Sequence, residues 1–87
     1  MAAHETAFVA IRGELRYQES LGHTWKNRNH PTVGEELLLI EEYMALARTA
    51  YTRNPGDAEA LDVLRKVAAM CVRAMSNGGV VMRAGFE

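Results

Sequence analysis

Two groups of side chains in this 87-residue chain have the types and spacing to do chemistry. The first is acidic: Glu35-Glu36 and Glu41-Glu42 on one stretch, then Glu59-x-x-Asp62 on the next. Of everything in the chain, these paired carboxylates are the feature most like an active site. The second group is basic and aromatic: Arg12, Arg16, Tyr17, Trp25, Lys26, Arg28 and His30. Guanidinium forks grip phosphate in bidentate fashion, lysine adds a point charge, and tyrosine or tryptophan offers a plane to a base. Phosphate grips and aromatic plates are the minimum kit for a nucleotide. Trp25 leads as the stacking residue; its plainer role is to fold back and cap a helical core. Thr32 opens the next helix, whose N-terminal amides can receive an anion, with Glu35 and Glu36 competing for that end.

Other catalytic arrangements are thin. Cys71 falls on an apolar seam, where cysteine behaves as a small buried hydrophobe. His4, His23 and His30 lack the spacing and the Cys partners of zinc sites. Gly78-Gly79 reads as a helix stop, not as a loop that cradles phosphate.

The elements that must position these groups are helical. The clearest covers residues 32–53. Thr32 with Glu35 three residues on has capping-box spacing. Val33, Leu37, Ile40, Met44, Ala47 and Tyr51 follow at heptad spacing, and Leu39, Tyr43, Leu46 and Ala50 form a second stripe beside them. Two stripes predict at least two packing neighbours. Asn54-Pro55-Gly56-Asp57 stops this helix and restarts the chain, with Asp57 as N-cap. The next helix covers residues 58–76, with Ala60, Leu64, Val67, Cys71 and Ala74 on its seam, and ends at Asn77-Gly78-Gly79. The short connection predicts an antiparallel hairpin about 30 Å long. Residues 3–20 make a weaker helix with Phe8, Ile11 and Leu15 on one stripe and Gly13 in its middle. Residues 21–31 are a polar connection, and residues 77–87 a tail without period.

At the level of motif, the acidic runs resemble the MazG-like nucleoside triphosphate pyrophosphohydrolases. In that family an E-E-x-x-E run on one helix and an E-x-x-D run on the following one hold magnesium. The resemblance thus implies Glu35, Glu36, Glu41, Glu59 and Asp62 as metal ligands, where the residues by themselves give no metal site. Leu64-Arg65-Lys66-Val67-Ala68-Ala69-Met70 is similar to the basic-then-apolar helix of the same group. The likeness spans about residues 32–76 and implies magnesium-dependent pyrophosphate release. It departs where the third glutamate would fall, at Leu39 or Ile40. In the expected hairpin Asp62 lies beside Thr49, and Glu41 and Glu42 beside Met70 and Ala69. That leaves Asp62 about 10–12 Å along the axis from the glutamates, too far for one chain to share an ion. A solvated acidic face with an Asp62–Lys66 pair is the plainer reading. In layout, a short helix and then a long hairpin, the chain also resembles small viral proteins that sequester cyclic-nucleotide immune signals. That likeness implies a helical oligomer with ligand held between protomers near residues 12–30.

Composition bounds these readings. Ten Lys/Arg against eleven Asp/Glu leave a charge of −1, which argues against duplex DNA as partner. The charge is segregated: residues 31–47 hold four glutamates and no cation, between two basic stretches. A single cysteine builds no internal disulfide, and no apolar run approaches the roughly 20 residues of a membrane span. The expectation is a cytosolic, all-α protein of one domain over residues 1–87, a three-helix unit that packs into a homo-oligomeric bundle because so small a core is marginal alone. The expected function is nucleotide binding without turnover and without a resident cofactor. The alternatives are a magnesium-dependent pyrophosphohydrolase and an oligomerisation or adaptor domain with no small ligand.

Overall fold

The computed structural model describes residues 3–22, 30–53 and 56–87. They form three helices, α1 (Glu5–Ser20), α2 (Val33–Arg53) and α3 (Ala58–Gly78), and no strand occurs among them. Thr32 and Glu35 form the predicted capping box: the Glu35 N–H donates to Thr32 Oγ1 at 3.2 Å, and the Thr32 N–H to Glu35 Oε1 at 2.8 Å. The expected N-cap at Asp57 is different in kind. Its backbone is already helical, so its carboxylate makes no capping hydrogen bond, and only its carbonyl joins the helix, accepting from the Leu61 N–H at 2.8 Å. At the far end α3 runs two residues past the expected stop. Gly79, at φ 108°, ends it with its N–H on the Met75 carbonyl.

α3 is the central element. Both α1 and α2 pack on it and, among the described residues, not on each other. The start of α2 lies against the end of α3, where Glu36 meets Arg73 and Val33 crowds Gly78.

The face that α2 turns inward differs from the predicted seam. Glu36, Ile40, Tyr43, Ala47 and Ala50, spaced 4, 3, 4 and 3, are buried or half-buried, with the half-buried Leu39 beside them. Val33, Leu37, Met44 and Tyr51 are left exposed. The inward stripe is the less apolar of the two, and it carries Glu36, whose ion pair with Arg73 lies on that side. On α3 the seam likewise shifts, with Val67, Ala69 and Met70 buried, Cys71 half-buried and Leu64 exposed.

Among the described residues the buried apolar side chains of the helices are few and small: Ala47, Val67, Ala69 and Met70. The accessible surface is 6852 Å², against about 5,100 Å² for a compact monomer of this mass. The radius of gyration is 14.5 Å, where about 12 Å is usual for this length. No helix is long and apolar enough to cross a membrane among the described residues.

Candidate functional site

Between α1 and the inner faces of α2 and α3 lies a cleft of about 770 Å³, within the range of small-molecule sites. It exists because the two outer helices both lean on α3 while staying apart. α1 contributes Tyr17 and Gln18 to it, α2 contributes Leu39 and Tyr43, and α3 contributes Lys66, Met70 and Arg73. His30 and Pro31 also line it. The lining therefore holds two phenol rings, an imidazole, an ammonium and a guanidinium, beside the carboxylates of Glu14 and Glu19.

A line of polar side chains runs beneath the cleft and ties the three helices together. Arg65 donates to Glu14 at 2.9 Å and to Asp62 at 2.7 Å. The Gln18 amide donates to Glu14 at 3.1 Å, and its oxygen accepts from Arg73 Nη1 at 2.9 Å. Arg73 also donates to Glu36 Oε1, from Nη2 at 2.8 Å and from Nε at 3.2 Å. Three of the five N–H donors of Arg73 are thereby used, and two have no partner among the described residues. Glu36 is 1% exposed and its Oε2 is without a hydrogen bond among the described residues. The hydrogen bond from Arg65, followed by the charges of Arg65 and Lys66, holds the Asp62 carboxyl below the usual carboxylate range. The Glu14 hydrogen bond, with that of Asp62, raises the Arg65 guanidinium in turn.

The acidic group is thus dispersed into separate structural tasks. Glu35 caps α2, Glu36 is buried on Arg73, and Asp62 bridges Arg65 and, at 3.6 Å, Lys66. Asp62 and the Arg73 that holds Glu36 stand eleven positions apart on α3, about 16 Å along its axis. Among the described residues no three His, Cys, Asp or Glu side chains gather into a group able to hold a metal ion.

The basic and aromatic group divides. Tyr17 and His30 line the cleft. Arg12 and Arg16 sit two positions either side of the buried Glu14, so they project roughly 160° from it, on the far side of α1. Arg12 there faces Glu5 at 3.8 Å. Trp25, Lys26 and Arg28, like His23, lie outside the described residues.

Sequence reasoning missed Tyr43, Lys66 and Arg73, which supply the inner wall. Lys66 and Arg73 are a heptad apart on the apolar side of α3, beside Met70, and two cations at that spacing within an apolar stripe were the available signal. Comparison with family models, curated proteins and solved structures finds no match to this chain.

Proposed function

We propose that the chain is a helical homo-oligomer, built on an antiparallel α2–α3 hairpin, that binds a nucleotide in the α1–α3 cleft without turning it over. The observation that carries this reading is the pairing of two kinds of group in one space. Tyr17 from α1 and Tyr43 from α2 bring aromatic rings to it, while Lys66 and Arg73, which keeps two donors without a partner among the described residues, bring positive charge. Capture rather than cleavage is favoured by the duties of two of the carboxylates that the MazG-like reading needs: Glu36 is engaged by Arg73, and Asp62 by Arg65 and Lys66. Sequestering a cyclic-nucleotide signal, as the small viral proteins of similar layout do, is the finer form of the same reading.

A thermal-shift panel of adenosine and guanosine mono-, di- and triphosphates and cyclic dinucleotides, with and without magnesium, tests it. Ligand at 100 times its Kd adds about 2.7 kcal/mol, a rise of roughly 10–20 °C for a domain this size. The bound nucleotide should be recovered intact. Pyrophosphate release from a triphosphate with magnesium would replace this reading by the pyrophosphohydrolase. No stabilisation by any member would leave the oligomerisation or adaptor domain, which the many exposed apolar side chains favour.

A further inference from the structure

The side of the α2–α3 pair opposite the cleft carries apolar residues that no described part of the chain covers. On α2, Leu39 and Tyr43 turn toward the cleft, and Leu37, Met44 and Tyr51 lie on the other flank of the buried seam. On α3, Lys66 and Arg73 turn toward the cleft, and Leu61, Leu64 and Met75 lie across the helix from them. The two exposed stripes therefore share one side and make a continuous apolar face.

We propose that this face binds a second copy of the same chain across a two-fold axis, forming a four-helix bundle with one cleft on each outer side. Three observations select a second copy. The first is area. The chain exposes about 1,700 Å² more than a compact monomer of its mass. Residues 80–86 of the tail account for part of it, and the half-exposed or more exposed Leu37, Tyr51 and Leu61 of this face contribute another part toward the ~800 Å² that each partner buries in a standard interface.

The second is the symmetry of the stripes. The contacts Glu36–Arg73 and Val33–Gly78 put Met44 level with Lys66. A two-fold axis perpendicular to the helices at that level lays Met44 on the partner's Met44 and Leu37 on the partner's Tyr51. The same axis lays Leu64 on the partner's Ala68 and Leu61 on the partner's Cys71. The α2 stripe is thus self-complementary about this axis, and on α3 Leu61 and Leu64 meet small, half-buried residues (the partner's Cys71 and the partner's Ala68), while Met75 falls level with the partner's Asp57 at the rim.

The third is charge. Glu41 and Arg48 are exposed, have no ion-pair partner among the described residues, and lie along the same outer edge of the α2 stripe. They bracket Met44 at a spacing of seven, so the axis sets Glu41 against the partner's Arg48, twice. This interface does not depend on the cleft being a nucleotide site, and the two are tested separately.

Light scattering on the eluting full-length chain should give twice the 9.7 kDa monomer mass. Leu37→Glu with Met44→Glu should elute as a monomer that retains helical circular dichroism. Because that variant can unfold, charge reversal supplies a second test. Glu41→Arg alone should weaken the dimer about tenfold, since two ion pairs become like-charge contacts, and Glu41→Arg with Arg48→Glu should restore it. In a Cys71→Ser background, Met44→Cys should cross-link between chains and Glu42→Cys, on the other side of α2, should not. A wild-type monomer at 0.1 mM, a dimer indifferent to both charge variants, or equal cross-linking at positions 42 and 44 would overturn the proposal.

Discussion

Arg73→Met removes the guanidinium that satisfies Glu36 and leaves the carboxylate where it is. Glu36 is 1% exposed, and among the described residues its Oε1 accepts from Arg73 at 2.8 and 3.2 Å while its Oε2 has no partner. Stripping a buried charge of its partner costs about 3–5 kcal/mol. An 87-residue domain has about 4–13 kcal/mol in total, so the single variant should lose much of its stability. Allowing about 4–8 °C per kcal/mol, the midpoint should fall by at least 12 °C. Replacing both members is a different perturbation. Arg73→Met with Glu36→Leu leaves no orphaned charge, and such double replacements of buried pairs are often neutral. The cost that remains is the hydrogen bond from Arg73 to Gln18, about 1 kcal/mol. Urea denaturation followed by circular dichroism measures all four corners of the cycle, with an expected coupling of 2–3 kcal/mol. Additive losses, or a single-variant loss below 1 kcal/mol, would show that Glu36 is not held by Arg73, and with it the packing of α2 on α3 would need revision.

Three other perturbations follow from the same geometry. Thr32→Ala deletes the hydroxyl that receives the Glu35 N–H and should cost about 1 kcal/mol in the same denaturation assay. A methyl group at Gly78 would stand 2.6 Å from Val33 Cγ2, and a β-branched valine yields poorly. Gly78→Ala should therefore destabilise the wild type yet stabilise the Val33→Ala variant, where only its helix propensity remains. The pH dependence of the Asp62 pair has a defined sign. Because the folded carboxyl is held below its ordinary 3.8, its contribution is complete above that value and is lost as the pH falls through the folded value. The stability difference between wild type and Asp62→Asn should be constant above about pH 5 and vanish in strong acid.

The parts of this structure that were legible in the sequence are those written in neighbouring residues. Thr32 and Glu35 announce the start of α2 because the capping box needs nothing beyond its own turn. Gly79 announces the end of α3 because a positive φ is local chemistry. Burial of charge was not legible, because each buried carboxylate is answered from far along the chain. Glu14 is met by Arg65 at a separation of 51 residues, and Glu36 by Arg73 at 37. Read alone, Glu36 is a helix-end acid facing the dipole; only the arrival of Arg73 makes it the residue that fixes the rotation of α2. That rotation in turn exposes Val33, Leu37, Met44 and Tyr51, which hydropathy alone placed in the core. The candidate site divides along the same line. Tyr17 and His30 lie near one another in sequence and both reach the cleft, whereas Tyr43, Lys66 and Arg73 join them only through packing on α3.

The central claim is that the cleft between α1 and α3 receives a nucleotide. Amide and side-chain NMR shifts of the full-length chain, followed while the most stabilising member of the nucleotide panel is added, report it residue by residue. Saturable shifts should concentrate at Tyr17, Tyr43, Lys66 and Arg73, and Tyr17→Ala with Lys66→Gln should abolish them in a protein that stays folded. Saturable shifts confined to Arg12, Arg16 and the outer side of α1, or none up to millimolar nucleotide, would contradict it.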